Sequence, residues 1–379
     1  MSKTDIQKSK EERSPREEAM NTQTPSGAIR ARAGAAARSV TLGLVRRLLP
    51  KSYLLLVLLV IIAVGAAASP NFLTVRNASN VVSFSSIIAL LAVGQFYVIL
   101  TGGIDLSVGS VLALSTVVSA LTLKAGFGAV PAIGVTLFAC SVVGFGNGLL
   151  VVWLRIAPFI ATLAMMSMAQ GFSYIIQSTS LIGIENEPFV TLFSDGHFVG
   201  IPNPVLIFVV VTIIAAFCSR YTTFGRRLYA IGGNREAARL SGLPVSRDLL
   251  VTYTLSSFLA GLAGLLAAAQ LMQGSSLIGR GYELDAIAAV VVGGASLVGG
   301  RGDPLSSVIG VFVLATIVNI MNLIGISSEP QLVIKGAVII AAVFLSSAGG
   351  VARISAVLAK LRGGNTHPIG KEAERLANE

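Results

Sequence analysis

The sequence predicts an all-α polytopic membrane protein with about ten transmembrane helices, some of them discontinuous. The 379 residues are 54% hydrophobic and only 12% charged, whereas about 25% of the residues of soluble domains are charged. Long apolar runs also recur along the chain, and a helix needs about 20 apolar residues to cross a bilayer. The runs are 52–69, 81–101, 106–123, 130–152, 159–181, 205–219, 248–271, 286–300, 305–324 and 331–349. Several are short or interrupted by glycine, which predicts helices that cross only part of the membrane.

The predicted transmembrane domain, 52–350, is flanked by two polar ends, a leader at 1–51 and a tail at 351–379. The first half of the leader is too poor in apolar residues to bury a core, so we expect it to be disordered. The charges of 28–51 are all positive. That stretch fits a helix lying on an anionic membrane surface, or an unstructured basic flank that only sets the topology.

Two loops of opposite charge predict the orientation. The loop at 219–247 carries six arginines, whereas the loop at 182–204 carries three acids and neither Lys nor Arg. Positive charge is retained on the cytoplasmic side of a membrane. With ten crossings, the basic loop and both termini are therefore predicted to be cytoplasmic.

Several classes of function are disfavoured by composition. The net charge of +10 is concentrated in the ends and one loop rather than on a folded basic face, so no nucleic acid partner is expected. Cys140 and Cys218 lie inside apolar runs and the two histidines lie in separate polar segments, so neither a disulfide framework nor a metal site is expected. The phosphate-binding pattern GxxxxGK[ST] is absent from the sequence. We expect no catalytic residue and no cofactor.

The stretch GQFYVILTGGIDLSVGS, residues 94–110, sets one carboxylate, Asp105, between two apolar runs. A charge at the centre of a bilayer costs about 2.5–3.5 kcal/mol, so Asp105 is expected to face protein or water. Gly102 and Gly103 permit the backbone to break there. The pattern predicts two half-helices beside a polar pathway, with Asp105 as a cap of the second. A short turn at the membrane surface, with Asp105 capping in water, fits as well.

A second glycine pair, Gly293 and Gly294, predicts another helix break. Residues 293–300 weakly repeat residues 102–109, and many transporters are built from internal repeats. Glu283 and Asp285 begin the eighth run, where they fit helix caps or charges of a pathway.

The basic loop contains the signals of a short helix. Asn234 is a good N-cap, Glu236 suits the first turn, and Gly242 followed by Pro244 suits the end. A helix of about two turns is marginal alone in water. We therefore expect it to dock on a partner or on its own membrane domain.

Glu236-Ala237-Ala238 with Gly242 resembles the EAA loop of ABC importer permeases, the segment that sits in a cleft of the ATP-binding subunit. TGGIDLSVGS (101–110), RIAPFIATL (155–163), YAIGGNREAARLSG (229–242) and GYELDAIAAVVVGGASLVGGRG (281–302) resemble, in this order, the ribose-type sugar permeases of bacterial ABC importers. The similarity covers residues 50–350. The sequence departs from the family after Gly242, where Leu243-Pro244 follows directly, and at Ala295, where Thr or Ser is usual.

The resemblance implies a permease in the inner membrane that itself does no bond chemistry. Its partners would be an ATP-binding subunit at the cytoplasmic loop, a periplasmic sugar-binding protein, a second permease copy and the lipid bilayer. The expected ATPase-coupling residues are Asn234, Arg235, Glu236, Ala237, Ala238 and Gly242.

An uncharged sugar needs hydrogen-bonding groups along its path. The candidates are Gln95, Tyr97, Thr101, Asp105, Ser107, Asn147, Asn319 and Asn322. Hydrogen bonding between helices explains each of them equally well.

Other substrates and another class of transporter stay open. A branched-chain amino acid, a nucleoside or a polyol fits the same superfamily, and the sequence does not identify the sugar. An ion-driven secondary transporter would need paired charges within the membrane, of which the sequence shows few.

Overall fold

The computed structural model describes residues 54–178 and 181–346. The predicted leader and tail lie outside the described residues. The described chain confirms the all-α polytopic fold, since its strands are only two residues long. Helices α1 to α13 are Leu54–Ala68, Val75–Leu100, Val108–Lys124, Ala129–Val152, Pro158–Gln177, Glu187–Val190, Asn203–Tyr221, Thr223–Gly233, Arg235–Leu240, Val245–Leu271, Tyr282–Val292, Pro304–Leu323 and Ser328–Ser346. Strands β1 to β4 are Ile182–Gly183, His197–Phe198, Ile201–Pro202 and Gln273–Gly274.

The ten predicted runs each overlap a helix, but the helices differ in length. Among the described residues, six helices are long and apolar enough to cross a membrane, namely α2, α4, α5, α7, α10 and α12. Helices α1 and α3 are shorter apolar helices. The run over 286–300 is interrupted, because α11 ends at Val292 and an irregular segment follows at the predicted break. Glycine at 293 and 294 explains that end.

The core is formed where α10 packs against α2, α3 and α4. Every residue of α2 from Ala89 to Leu100 is buried, polar ones included. Glycine allows the close approach: a Cβ on Gly94 would lie 3.1 Å from Cα of Ser256, and one on Gly261 would lie 2.8 Å from Cβ of Cys140. Small residues at such contacts are typical of helix packing in membranes.

The acidic loop between α5 and α7 is folded rather than extended. Strand β1 pairs antiparallel with β4, with Ile182 opposite Gly274. Strands β2 and β3 form a hairpin, and the short α6 and a π-helical turn, Thr191–Asp195, lie between β1 and β2. The pairing of β1 with β4 joins this loop to the chain that follows α10.

The basic loop contains a helix, α8, that the sequence analysis missed. Thr222 caps it by accepting a hydrogen bond from the N–H of Gly225 at 3.2 Å. Its buried residues, Gly225, Leu228 and Ile231, recur every three positions and so lie on one face. The same spacing is present in the sequence, but Arg226 and Arg227 lie between Gly225 and Leu228, so the stretch does not read as an apolar helix.

Candidate coupling and translocation site

The short helix predicted in the basic loop is present as α9. Oδ1 of Asn234 accepts a hydrogen bond from the N–H of Ala237 at 2.9 Å, which is an N-cap. After the helix, Gly242 has φ +77°, the left-handed conformation that glycine adopts without strain. Both signals read from the sequence therefore act at the ends of the helix.

Helix α9 exposes charged and apolar side chains. Glu236 accepts a hydrogen bond from Arg239 at 2.7 Å, and this hydrogen bond raises the pKa of Arg239. Both of these side chains are exposed, and Leu240 is 78% exposed. Ala238 is the one buried residue of the helix. The helix therefore rests on the protein by one small residue and presents the rest of its surface outward.

Helix α8 is fixed to α10 by an ion pair. Arg227 donates from Nε and from an Nη atom to the two carboxylate oxygens of Asp248, at 2.6 and 2.9 Å. Asp248 is only 1% exposed, and its hydrogen bonds raise the pKa of Arg227. A two-point pair of this kind fixes orientation as well as distance.

The end of α8 lies against the two predicted helix breaks. We call residues 101–107 the first break segment and 293–303 the second break segment. A Cβ on Gly232 would collide with the carbonyl oxygen of Leu100 and the nitrogen of Gly300. The N–H of Gly300 in turn donates to the carbonyl of Leu100 at 2.9 Å. Three stretches of backbone therefore meet at one point.

A hydroxyl adds to this junction. Tyr229 donates to the carbonyl oxygen of Gly302 at 2.9 Å. Burial, with a smaller contribution from the charge of Asp303, raises the pKa of Tyr229 to about 12, so the hydroxyl stays protonated and able to donate. Helix α8 thus contacts the second break segment through a side chain as well as through backbone.

The first break segment follows the end of α2 and places Asp105 in the interior. Gly102 has φ +78°. The carboxylate of Asp105 is fully buried and accepts from the N–H and hydroxyl of Ser107, at 2.9 and 2.6 Å, and from the hydroxyl of Ser256 at 2.9 Å. The predicted capping geometry is corrected: Ser107 occupies the N-cap of α3, and Asp105 lies two residues before it.

Two further candidates surround Asp105. In the amide orientation that satisfies both groups, Gln95 donates to the carbonyl of Asp105 at 3.0 Å and accepts from its N–H at 3.2 Å. Asn147 donates to the hydroxyl of Ser107 at 2.8 Å. Its Oδ1 has no hydrogen-bond partner within the described part of the chain.

The remaining candidates of this half serve helix contacts. Tyr97 donates to the carbonyl of Ala215 on α7 at 2.7 Å, and Thr101 donates to the carbonyl of Val98 at 2.8 Å. Both side chains are buried. Their observed bonds are of the kind that joins helices or closes a helix end.

Asn319 and Asn322 lie elsewhere, in a cavity of about 400 Å³ between α2, α11, α12 and α13. Asn319 exchanges two hydrogen bonds with Asn77, at 3.0 and 2.8 Å. Asn322 accepts from Gln331 at 2.7 Å. The structure therefore divides the predicted pathway residues into two separate groups.

The same cavity contains an ion pair that the sequence analysis did not foresee. Lys335 on α13 lies 2.9 Å from the carboxylate of Asp285 on α11. Asp285 and Glu283 both lie in the first turn of α11, where the helix dipole favours acids.

The second break segment begins where α11 ends, and Gly294 has φ +88°. It finishes at Asp303, the N-cap of α12, whose Oδ1 accepts from the N–H groups of Leu305 and Ser306 at 2.8 and 3.4 Å. Val298 in this segment is 86% exposed.

A second cavity, of about 460 Å³, lies between α3, α5 and residues 279–283. Its polar lining is Ser110, Ser167, Gln170, Tyr174, Arg280 and Glu283. This grouping is not evident from the sequence, because α5 reads as one more apolar run and Arg280 lies in a short connection. Among the described residues, no group of three or more His, Cys, Asp or Glu side chains is placed to hold a metal ion.

Residues 77–343 match the family described as branched-chain amino acid transport system / permease component. The chain is 40% identical over 310 residues to the ribose import permease protein RbsC of Escherichia coli K12, covering 80% of this chain and 97% of the relative. It is 42% identical to RbsC of Bacillus subtilis, covering 76% of this chain and 90% of the relative. Against the D-allose transport system permease protein AlsC of Escherichia coli K12 it is 38% identical, covering 76% and 89%. No solved structure matches the chain.

These similarities cover nearly the whole length of the relatives and include all four motifs that the sequence analysis singled out. The expected likeness to ribose-type ABC permeases is confirmed. The chain therefore belongs to the family of branched-chain amino acid transport system permease components and is a multi-pass membrane protein.

Proposed function

We propose that this permease is the membrane subunit of an ATP-driven importer for a monosaccharide. The observation that carries the proposal is the identity of 40% over 97% of a relative named for ribose import. A relative named for D-allose transport is 38% identical, so the proposed substrate is the class of small neutral sugars rather than one sugar. The geometry of the basic loop supports the ATP-driven part.

Helix α9 is the proposed contact with an ATP-binding subunit. It is capped at both ends, carries an exposed ion pair and exposes Leu240 at its tip. An isolated helix of six residues is too short to be stable in water. Its caps and the contact through Ala238 keep it formed and ready to enter a cleft of a partner.

Movement of the partner would reach the membrane core through α8. The ion pair of Arg227 with Asp248 holds α8 to α10, and Gly232 touches the last residue of α2 and the second break segment. A force on α9 therefore acts on the inner ends of α2 and α11 without an intervening flexible linker. The break segments are where the helices can change direction.

The charges of the loops support the proposed orientation in the bacterial inner membrane. The loop with α8 and α9 contains six arginines and is placed in the cytoplasm, where both termini would also lie. The folded acidic loop at 182–204 then faces the periplasm and would receive the sugar-binding protein. A second copy of the permease would complete the pathway.

The test is reconstitution in proteoliposomes with the ATP-binding subunit and the sugar-binding protein, followed by uptake of labelled D-ribose, D-allose or L-arabinose. We expect uptake to require ATP. Glu236→Ala and Gly242→Ala should each lower uptake about tenfold or more, because a few residues carry most of the energy of such a contact. Insertion in the membrane should persist.

Arg247→Ala is the matched control, because Arg247 is exposed at the start of α10, just beyond α9 and Gly242. It should keep uptake near that of the wild type. Full uptake by both Glu236→Ala and Gly242→Ala would contradict the docking role. Uptake without any ATPase, abolished by collapse of the proton gradient, would contradict an ATP-driven importer.

A further inference from the structure

The cavity between α3, α5 and residues 279–283, which we call the α5 cavity, differs from the other cavity in that an exposed arginine and an exposed tyrosine, Arg280 and Tyr174, line it. In the cavity at α12, Asn77 pairs with Asn319 and Asp285 pairs with Lys335. Those groups satisfy one another across helix contacts. The α5 cavity has a similar volume but an exposed polar wall.

That wall lies in the middle of a helix of membrane-spanning length. Helix α5 has 20 residues and buries only four of them, and its length is about 30 Å. Ser167 and Gln170 lie near its midpoint, and Ser167 is exposed. The hydroxyl of Ser167 donates to the carbonyl of Leu163 at 3.3 Å. The longer polar side chain of Gln170 is unfavourable against lipid at this depth, so this face is expected to meet water or a polar solute.

The opposite wall is held rigidly by backbone contacts. Residues 279–281 run against the start of α3, where a Cβ on Gly279 would lie 2.8 Å from the carbonyl oxygen of Gly109. Gly279 and Gly281 have φ +89° and +83°, which other residues rarely adopt. Arg280 lies between these two glycines, and Gly281 is the N-cap of α11. Two helices, α3 and α11, begin beside the cavity.

The lining chemistry suits a small polyhydroxylated molecule. The guanidinium of Arg280 lies 5.9 Å from the centroid of the Tyr174 ring and contacts the Tyr174 hydroxyl. Arg280 and Glu283 are planar groups that can each bond two adjacent hydroxyls, one as donor and the other as acceptor. Gln170 donates to the carbonyl of Ser276 at 2.6 Å, which fixes its amide. The volume of about 460 Å³ falls within the range of small-molecule sites.

We propose that the α5 cavity binds the monosaccharide during its passage, through Gln170, Tyr174, Arg280 and Glu283. Arg280 donates to sugar hydroxyls, Glu283 accepts from them, and the ring of Tyr174 packs against the C–H face. The opposite charges of Arg280 and Glu283 leave the cavity without net charge, as a neutral sugar requires. The inference rests on the proposed function and names the site within it.

Uptake by the reconstituted complex tests the residues. Arg280→Gln and Gln170→Ala should each lower the initial rate about tenfold, as loss of a hydrogen bond to a bound group predicts. They should also change the ratio of ribose to arabinose uptake, which a merely structural defect would leave constant. Asn80→Ala is the control, because Asn80 lines the cavity at α12. It should keep both rates and their ratio.

Accessibility provides a second measurement. In a chain whose Cys140 and Cys218 are replaced by serine, a water-soluble methanethiosulfonate should modify Ser167→Cys faster than Met168→Cys. Met168 is 52% exposed but does not line the cavity. The transported sugar, supplied with its binding protein, should slow the modification of Ser167→Cys only.

The outcomes separate this inference from the proposed function. If the wild-type complex moves none of the three sugars with ATP, the proposed function fails. If the wild type transports and Arg280→Gln and Gln170→Ala leave both rate and ratio unchanged, the site is overturned alone. Equal modification of the two cysteines without protection by sugar also overturns it. Competition by leucine but by no sugar would overturn the assignment to a monosaccharide.

Discussion

The first break segment and the second break segment each follow a helix that ends at a glycine pair, and each carries an aspartate shortly before the next helix begins. In each glycine pair, one member has a positive φ, +78° at Gly102 and +88° at Gly294. Asp105 precedes α3, and Asp303 precedes α12. The two segments touch, since a Cβ on Gly102 would lie 3.1 Å from the carbonyl oxygen of Val298.

Their surroundings differ. In the first segment Thr101, Gly103, Asp105 and Ser107 are buried. Ser107 of the same segment and Ser256 of α10 donate the hydrogen bonds of the carboxylate. The second segment has exposed residues, with Val298 the most exposed. Asp303 accepts from the backbone N–H groups of Leu305 and Ser306 in its own helix.

We therefore expect the first break segment to be rigid and the second break segment to rearrange more easily. A buried carboxylate with three donors to it resists rearrangement, because every donor that it loses stays buried without a partner. The second segment lies against α8 through backbone at Gly232 and Gly300 and through the hydroxyl of Tyr229. We therefore expect motion of α8 to displace the second segment relative to the first.

The largest effect is expected from removing the ion pair that holds α8. Arg227→Met should lower the midpoint of thermal unfolding in detergent by about 5 °C or more, because it leaves the buried carboxylate of Asp248 without its partner. Uptake should fall as well, since α8 loses the ion pair that attaches it to α10. Thermal unfolding followed by fluorescence measures the first effect.

The double variant Arg227→Met with Asp248→Leu is the control for charge. It removes both members of the pair and should recover most of the lost stability, because an apolar pair of similar size leaves no buried charge. A double variant as unstable as Arg227→Met alone would show that shape, rather than charge, fixes α8 to α10.

A smaller loss is expected at the junction itself. Gly232→Ala would drive a methyl group into the carbonyl oxygen of Leu100 and should cost about 1–3 kcal/mol, the usual range for an overpacked core. Gly233→Ala is its neighbour and control, because no described atom lies within 4 Å of a Cβ there. Equal thermal midpoints for the two variants would mean that α8 does not press on the break segments.

The sequence could predict these breaks but not their surroundings. Glycine pairs and the lone acid Asp105 are local signals, and the helices do end beside them. The contact of Gly232 with Leu100 and Gly300 joins residues far apart in the chain. Such a contact depends on how α8 packs. Helix α8 itself was not predicted, because arginines interrupt its apolar residues in the sequence.

The candidate site shows the same limit. The caps of α9, Asn234 and Gly242, were readable because capping depends on neighbouring residues. The partner of Asp285 was not, since Lys335 is 50 residues away. The α5 cavity combines three distant stretches, each of which reads as ordinary membrane sequence or as a short connection.

Substitutions of the two aspartates address the comparison directly. Asp105→Ala removes one partner from each of three donors, and leaving buried donors unpaired should cost about 2–3 kcal/mol. Asp303→Ala removes an N-cap that is partly open to water and should cost about 1 kcal/mol. The shift of the thermal midpoint should therefore be about two- to threefold larger for Asp105→Ala than for Asp303→Ala.

Asparagine at each position distinguishes charge from hydrogen bonding. Asp105→Asn keeps an oxygen for the N–H of Ser107 and removes the charge, so stability should stay close to that of the wild type if the carboxylate serves to hold the backbone. Asp303→Asn should also be close to neutral, because asparagine caps helices as well as aspartate does. Loss of uptake in a stable Asp105→Asn variant, with Asp303→Asn unaffected, would assign the charge of Asp105 to transport and make the first break segment more than a rigid support.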